Sequence, residues 1–310
     1  MPEELARGVF SLDKVEMGLG AWAWGDRMMW DYGHGYTDDD IAEAYKTSLK
    51  MGVNLVDTAE VYGSGRSESL LGQFLKDTDE QVFVATKFMP FPWRLPKSAL
   101  SRALHNSLER IGLEKVNLYQ VHWPFPPMRV EHWAEALAQV VKAGLAETVG
   151  VSNYSKSQMQ RARATLAKHG IPLASNQVEY HLFDRRVEKN GLLDLCREMG
   201  VRLIAYSPLA KGMLTGKYTA ETPPPGLRGR KYVSILKDLP ALIGLMNEMG
   251  QSHGGKAPGQ VALNWLICKG ALPIPGAKTA RQAGQNAGAT GWRLTEAEVK
   301  ALDAASDKFS

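Results

Sequence analysis

Eight short apolar segments recur along the chain, and between them the apolar residues fall at helical spacing. The candidate strands cover residues 15–19, 54–59, 82–88, 117–123, 148–152, 174–179, 201–207 and 272–275. Apolar strands that alternate with one-sided helices are typical of a parallel sheet covered by helices. Because there are eight such units, the sequence predicts an α/β fold in which the sheet closes into a (β/α)8 TIM barrel.

The helical spacing is clearest in three of the intervening segments. It places apolar or small residues at 41, 44, 45, 48 and 49, at 100, 103, 104, 107, 108 and 111, and at 133, 136, 137, 140 and 141. Each of these helices therefore buries one stripe. The 310 residues fit one barrel of about 250 residues with long βα loops. An extra C-terminal helix is expected from Thr295, with Glu298 completing a capping box. We expect a single domain, 1–310.

The main competing α/β architecture is the doubly wound dinucleotide-binding fold. Its G-x-G-x-x-G fingerprint is missing, because Gly18-Leu19-Gly20 is followed by Ala21-Trp22-Ala23. The Pro-rich stretch 222–226, with the basic residues that follow it to 231, lies between the seventh and eighth strands. It is too short to separate two domains, so it predicts a long βα loop over one face of the barrel.

Composition indicates which partners and compartment to expect. Lys and Arg number 37 against 33 Asp and Glu, with the two signs interspersed, so no nucleic-acid surface is expected. No segment approaches the roughly 20 apolar residues that span a bilayer, so no membrane partner is expected. Cys196 and Cys268 lie at helical spacing from apolar residues and are expected to be reduced core residues. The expected location is the cytoplasm, and an organelle-targeting segment removed beforehand is the alternative.

Ionisable side chains follow three neighbouring strands at the point where each strand ends. Asp57 ends the second strand with Tyr62 in the loop beyond it, Lys87 ends the third, and His122 ends the fourth. Taken singly, these residues could be a turn cap, a half-buried aromatic, a surface lysine and a core histidine. Together they reach one rim of the barrel, where active sites of this fold lie. A buried Lys87 would need a carboxylate, and Asp57 on the adjacent strand could supply it.

Seven ordered segments resemble the signature segments of the aldo-keto reductase family. They are DTAEVYGSGRSE at 57–68, ATKF at 85–88, LYQVHWP at 118–124, GVSNYS at 150–155, NQVEYH at 176–181, YSPLAKGMLTGKY at 206–218 and IPGAKT at 274–279. The resemblance runs from about residue 15 to about residue 290. The fold of that family is a (β/α)8 barrel, in agreement with the periodicity of the sequence.

The resemblance implies a catalytic tetrad of Asp57, Tyr62, Lys87 and His122. Tyr62 would protonate the carbonyl oxygen as hydride adds to the carbon, and such general acid catalysis contributes about 10²–10⁴ in rate. A free tyrosine has a pKa of about 10, which we expect Lys87 to lower while Asp57 keeps Lys87 charged. His122 would orient the carbonyl oxygen. The seven histidines show no metal-binding spacing, so no metal is expected.

The resemblance also implies NADPH as the cofactor. Ser152, Asn153 and Gln177 would hold its carboxamide, and Tyr206 would stack on the nicotinamide. A cationic cluster facing the 2′-phosphate favours NADP over NAD, and amides at the helix that follows Lys278 would form an anion site. One departure from the family pattern is Gln285, where many members carry Glu. The other residues expected at the cofactor are Ser207, Leu209, Lys211, Lys217, Gly276, Lys278, Thr279, Gln282 and Asn286.

Eight tryptophans are many for this length, and five fall in the expected rim loops, namely Trp22, Trp24, Trp30, Trp93 and Trp123. They predict an apolar pocket for hydrophobic or aromatic aldehydes and ketones, lined by Trp24, Trp30, Trp93 and Trp123. The sequence thus predicts an NADPH-dependent carbonyl reductase of undetermined oligomeric state.

The main competing function is a cofactor-sensing regulatory subunit, since similar barrels serve potassium channels in this way. The sequence favours the enzyme, because no N-terminal extension is present that could block a channel. A barrel hydrolase or lyase without redox chemistry is a third interpretation. The segment at 150–154 lacks the second glycine of a nucleophile elbow, which removes the main sequence argument for a hydrolase.

Overall fold

Eight parallel strands pair with one another in chain order. The computed structural model describes residues 10–224 and 234–309. The strands are β1 (Leu19–Gly20), β2 (Leu55–Asp57), β3 (Phe83–Phe88), β4 (Val116–Val121), β5 (Ala146–Ser152), β6 (Leu173–Glu179), β7 (Arg202–Tyr206) and β8 (Leu272–Pro273).

The sheet closes between its first and last strands. The amide of Gly18 donates to the carbonyl of Pro273, and the amide of Gly20 donates to that of Pro275, both at 3.0 Å. A Cβ at Gly20 would lie 2.7 Å from the carbonyl oxygen of Ile274, so this close approach requires glycine. The closure confirms the predicted (β/α)8 barrel.

Helices cover the outside of the barrel. The helices described are α1 (Arg27–Trp30), α2 (Asp38–Lys50), α3 (Arg66–Lys76), α4 (Ser98–Ile111), α5 (Val130–Lys142), α6 (Lys156–Ala167), α7 (Arg186–Lys189), α8 (Leu192–Glu198), α9 (Leu239–Ser252), α10 (Pro258–Cys268), α11 (Ala280–Ala287) and α12 (Glu296–Ser306). Helices α2 and α4 bury the stripes that their spacing predicts. The capping box of Thr295 and Glu298 starts α12 as predicted.

The first strand is shorter than predicted, because Val15 at its expected start packs into an apolar cluster instead of pairing. Residues 15–19 were expected to form this strand, but the strand begins only at Leu19, directly after the backbone bond of Gly18 to Pro273. Phe10, Leu12 and Val15 instead pack against inward-facing residues of the barrel strands and form a second apolar cluster at one end of the barrel. The last strand ends at Pro273 rather than at 275, although the amide of Ile274 still donates to the carbonyl of Ala205.

Other expectations have mixed outcomes. Cys196 and Cys268 are both free, and burial raises the pKa of Cys196 to about 12, as suits a core residue. Of the Pro-rich loop predicted at 222–226 and continuing to 231, residues from 225 onward lie outside the described residues. Within 10–224 and 234–309, no helix combines the length and apolar content that crossing a bilayer requires.

Candidate active site

The carboxyl ends of β2, β3 and β4 bring the expected tetrad together. Asp57 is the last residue of β2, Lys87 is the penultimate residue of β3, and His122 directly follows β4. Tyr62 opens a short 3-10 segment, Tyr62–Gly65, in the loop after β2. In a closed parallel barrel all carboxyl ends lie on one face, which is why residues 65 positions apart in the chain meet there.

Lys87 links the acid and the phenol of this group. Its Nζ donates to Asp57 Oδ1, to the carbonyl of Thr58 at 2.8 Å and, at 3.5 Å, to the hydroxyl of Tyr62. Lys87 is fully buried and Asp57 is 2% exposed. Burial lowers the pKa of Lys87, while the charge and hydrogen bond of Asp57 oppose that effect. The ammonium therefore depends on Asp57 for its charge.

The pKa of Tyr62 does not follow the expectation from the sequence. We expected Lys87 to lower it, but burial, and then the charge of Asp57, raise it well above the usual value. The reason is that Asp57 neutralises the ammonium, so the buried phenol gains little from its nearest cation. Tyr62 is therefore protonated at neutral pH and has a proton to give.

His122 is a neutral imidazole beside that phenol. Burial, and then the charge of Lys87, lower its pKa well below the usual value. Its ring packs edge-on to the Tyr62 ring, with 5.7 Å between the centroids. Its Nδ1 is buried and has no hydrogen-bond partner within the part of the chain that the structure describes. A neutral ring can still donate one hydrogen bond to a ligand oxygen.

Two amides hold the second oxygen of Asp57. Oδ2 accepts from Nε2 of Gln177 at 2.8 Å and from Nε2 of Gln120 at 3.3 Å. Sequence reasoning missed Gln120, which lies inside the apolar strand β4. The signal was present, because strand periodicity places Leu118, Gln120 and His122 on one face of β4.

A cavity of about 900 Å³ opens above the tetrad. Asp57, Tyr62 and His122 line it, whereas Lys87 lies behind them and is not among its described lining residues. Ser152 and Thr279 are not among them either. The other sequence-predicted residues that line it are Trp30, Trp123, Asn153, Gln177, Tyr206, Ser207, Leu209, Lys211, Lys217, Gly276, Lys278, Gln282 and Asn286.

Polar side chains at the carboxyl ends of β5, β6 and β7 form a connected group at the cavity. Ser152 Oγ donates to the carbonyl of Gln177 at 2.9 Å, and the amide of Asn153 donates to Ser152 Oγ at 3.0 Å. The Tyr206 hydroxyl donates to Asn153 Oδ1 at 3.0 Å, and the Asn153 amide also donates to the carbonyl of His122 at 3.1 Å. Asn153 and Ser207 adopt positive φ. Ser152 thus supports Asn153 from behind.

Four basic residues also line the cavity. Lys278 donates to the carbonyl of Trp30 at 2.8 Å, and its Nζ lies 4.2 Å from the centre of the Tyr36 ring. Thr279 caps α11 by accepting from the amide of Gln282 at 3.4 Å. Lysine and arginine side chains beside a helix N-terminus make a site for anions. The cavity residues in this group are Lys211, Lys217, Lys278 and Arg281.

Two of the four tryptophans expected in the substrate pocket do not reach it. Trp24 is fully buried in the core, packed edge-on against Tyr45 and Phe74. Trp93 is 73% exposed and stacks on Phe91. Neither is among the described residues that line the cavity, so both assignments were wrong.

The tryptophans that line the cavity, called here its aromatic wall, are Trp22, Trp30 and Trp123. Trp22 is another tryptophan of the expected rim loops, besides the four expected in the pocket. The Trp22 ring lies 5.5 Å from that of Trp30 and 6.4 Å from that of Tyr62, measured between centroids. The sequence places these tryptophans in rim loops, but it does not predict whether each ring points into the cavity or away from it.

Comparison with known proteins adds independent evidence. A model of the aldo/keto reductase family matches residues 16–307. The chloroplastic pyridoxal reductase of Arabidopsis thaliana is 40% identical over 303 residues, a match that covers 94% of this chain and 82% of that protein.

Solved structures agree in fold. A glycerol dehydrogenase from Gluconobacter oxydans superposes with a TM-score of 0.83 at 28% identity, covering 95% of this chain and 92% of that one. An aldo-keto reductase from Klebsiella pneumoniae in complex with NADPH superposes with a TM-score of 0.74 at 28% identity, covering 93% and 90%.

Proposed function

The chain belongs to the aldo/keto reductase family, and we propose that it is an NADPH-dependent oxidoreductase that reduces aldehydes and ketones to alcohols by hydride transfer. The observation that carries this proposal is the contact between buried Lys87 and the protonated hydroxyl of Tyr62. That hydroxyl belongs to a residue of the cavity wall, beside a neutral His122. A proton donor of this kind is what carbonyl reduction requires.

The cavity fits a nicotinamide dinucleotide by its chemistry. Its volume lies within the range of about 300–1,000 Å³ that is usual for ligand sites. Asn153, Gln177 and Tyr206 offer amide groups and a ring to a nicotinamide carboxamide, while Lys278 and Arg281 offer positive charge to phosphate. When bound, NADPH supplies the hydride. The NADPH complex of the Klebsiella pneumoniae relative supports this choice of cofactor.

The side chains of the tetrad divide the work of proton transfer. As negative charge develops on the carbonyl oxygen, Tyr62 Oη donates its proton to that oxygen. The ammonium of Lys87 stabilises the phenolate that remains, and Asp57 keeps Lys87 charged. His122 donates a hydrogen bond that orients the carbonyl oxygen. Together with the hydride, the proton of Tyr62 completes the alcohol.

The aromatic wall favours hydrophobic or aromatic carbonyl compounds. Trp22, Trp30 and Trp123 line the cavity with Met89 and Val61, close to Tyr62. Flat apolar surfaces of this kind bind an aromatic ring by burial and stacking. The plant relative is named a pyridoxal reductase. Pyridoxal is an aromatic aldehyde, so it is a candidate substrate here.

The direct test follows NADPH absorbance with three aldehydes. We expect consumption of NADPH with 4-nitrobenzaldehyde and with pyridoxal, and a kcat/KM at least about tenfold lower with glyceraldehyde, which has no ring to bury. Equal rates for all three would refute the aromatic preference alone. Tight binding of NADPH without turnover of any aldehyde would refute the reductase and favour a cofactor-sensing regulatory subunit.

The cofactor preference is tested at Lys278. Replacing it in Lys278→Met removes a cation and should weaken NADP+ binding about tenfold, with NAD+ binding changed less than twofold. Titrations that follow tryptophan fluorescence measure both. Lys46→Met is the control, because Lys46 is an exposed residue of α2 that pairs with Glu43 at 3.1 Å. Equal losses for NADP+ and NAD+ would contradict the assignment to the 2′-phosphate.

We also propose that residues 1–310 act as a single domain in the cytoplasm. The family match spans nearly the whole chain, and the free thiols of Cys196 and Cys268 suit a reducing compartment. The plant relative is named as chloroplastic, so fractionation of cells with an antibody to this chain is the measurement that decides between the two compartments.

A further inference from the structure

A line of hydrogen bonds crosses the interior of the barrel behind the tetrad. Ser175 Oγ donates to Oε1 of Gln120 at 3.3 Å, and Nε2 of Gln120 donates to Asp57 Oδ2 at 3.3 Å. Asp57 in turn pairs with Lys87, whose Nζ reaches the hydroxyl of Tyr62. The line therefore runs from β6 through β4 and β2 to β3 and ends at the proposed proton donor.

Gln120 is an unusual residue for its surroundings. It is fully buried, as is Ser175, and its strand neighbours on the same face include the fully buried Leu118. An amide placed in such an interior costs free energy unless it is hydrogen-bonded, and a methionine would fill the same volume without that cost. Packing alone therefore does not account for an amide at this position.

The barrel leaves room for this pair at Gly150. A Cβ at Gly150 would lie 2.1 Å from Ser175 Oγ and 3.2 Å from Gln120 Cγ. Any larger residue on β5 would displace the serine hydroxyl or the amide. Residues of β4, β5 and β6 thus fix the position of the Gln120 side chain. This indicates that the position of the amide has a role besides packing.

Gln120 differs from Gln177, the other amide on Asp57, in its access to ligands. Gln177 lines the cavity, so its amide is available to a bound molecule. Gln120 is not among the described residues that line the cavity. The carboxylate of Asp57 can only accept, so Nε2 of Gln120 faces it and Oε1 is left to accept from Ser175. Gln120 can therefore keep its hold on Asp57 whatever the cavity contains.

We propose that Gln120 is a positioning residue for carbonyl reduction, acting through Asp57. The inference rests on the proposed reductase function. By holding Oδ2, the amide keeps Oδ1 aimed at Lys87, and a well-aimed carboxylate keeps the ammonium charged beside Tyr62. Gln120 itself contacts neither substrate nor cofactor.

The test is Gln120→Met, which keeps the volume and removes the donor. We expect kcat to fall about tenfold with KM changed less than twofold, because binding groups are untouched. The alkaline limb of the pH profile should move to lower pH by about half a unit or more, since a poorly held Asp57 supports the charge of Lys87 less. Ser175→Ala should produce a smaller shift in the same direction, and it serves if the first variant does not fold.

The matched control is Tyr119→Phe. Tyr119 precedes Gln120 on the same strand, is equally buried, and donates to the carbonyl of Leu100 at 3.3 Å, away from Asp57. It should lower stability without moving the pH profile. If Gln120→Met leaves the pH profile in place, or if Tyr119→Phe moves it equally, Gln120 is merely structural.

A second readout separates this proposal from the reductase assignment. The pH at which Lys87 loses its proton is followed by ¹⁵N NMR of lysine-labelled protein, with Lys87→Met to identify the signal. We expect a lower titration midpoint in Gln120→Met than in the unmodified chain. An unchanged midpoint overturns the positioning role even if turnover is high. A lowered midpoint in a chain without turnover supports the positioning of Lys87 and contradicts the reductase.

Discussion

Two buried charge clusters lie within this protein, and they differ in whether all their hydrogen-bond donors are directed to partners inside it. The inner cluster pairs Asp57 with Lys87 below the cavity. The outer cluster lies between the barrel and α12, where Arg185 is 7% exposed. Each guanidinium nitrogen of Arg185 donates to Glu188, Asp303, Ser306 or Asp307.

In the outer cluster the carboxylate of Glu188 also has several hydrogen-bond donors. Glu188 accepts from Arg185, from the hydroxyl of Tyr180 at 2.7 Å and from Lys269 at 2.9 Å. Burial raises the pKa of Glu188, but these three donors outweigh it and hold the pKa at about 2. The inner cluster instead directs Lys87 toward the hydroxyl of a cavity residue, Tyr62. The hydrogen bonds of Arg185 are all made within the protein and contribute to its stability. The donor of Lys87 that is directed at Tyr62 is instead available for chemistry at the cavity.

The largest effect should come from Tyr62→Phe, which removes the proton donor at the open end of the inner cluster. We expect kcat to fall by about 10²–10⁴, with the Kd of NADPH nearly unchanged. The control is Tyr45→Phe, because Tyr45 is buried against Trp24 and its hydroxyl bonds to Thr78 at 3.1 Å, outside the cavity. Stopped-flow turnover and fluorescence titration measure the two quantities. Turnover near that of the unmodified chain would remove Tyr62 from the role of general acid.

The outer cluster should show the opposite behaviour in Arg185→Leu. Glu188 and Asp303 would lose one of the two cations they share, with Lys269 remaining, while staying largely buried, so the free energy of unfolding should fall by about 3–5 kcal/mol. At temperatures where the variant remains folded, kcat should change less than twofold. Arg186→Leu is the matched control, since the neighbouring arginine side chain is 72% exposed in its pair with Asp184 and should cost less than about 1 kcal/mol. Equal costs for the two variants would show that burial of the cluster is unimportant.

Acid unfolding tests the same cluster through Glu188. Its folded pKa of about 2 lies below the unfolded value of about 4.3, so its contribution is complete above about pH 5.5 and is lost as pH falls toward 2. Glu188→Gln should cost about 2 kcal/mol at pH 7 and flatten this part of the stability curve measured by urea unfolding. Glu131→Gln is the control, because the pKa of Glu131 is also about 2 beside Arg161 but the pair is exposed. A curve as steep in Glu188→Gln as in the unmodified chain would exclude Glu188 as its source.

The inner cluster was predictable from the sequence, and the outer one was not. Asp57, Lys87 and His122 follow consecutive strands, and barrel geometry alone brings strand ends to one rim. Arg185 and Asp303 are 118 residues apart in loop and helix, and no periodicity relates them. Such contacts depend on where α12 docks, which is a property of the packed molecule.

Within the site, the sequence located residues better than it oriented them. Trp22 and Trp24 are two residues apart in one loop, yet Trp22 turns into the cavity and Trp24 into the core. The same limit applies to the pKa of Tyr62. Its direction depends on burial and on the near-neutralisation of Lys87 by Asp57, and both are three-dimensional quantities.

The smallest expected effect is on stability at alkaline pH, where the two clusters should respond differently to a rise in pH. Burial lowers the pKa of Lys87 below its usual value, so kcat should decline as pH rises through that lowered pKa. In the same range the unfolded chain binds more protons at this lysine than the folded chain does, so titration of Lys87 raises stability with pH. The guanidinium of Arg185 stays charged, because its hydrogen bond to Glu188 raises its pKa further. Up to about pH 10, where unfolded tyrosines begin to ionise, turnover should fall while the urea midpoint does not. A parallel fall of both would mean that the alkaline limb reports unfolding rather than loss of the charge beside Tyr62.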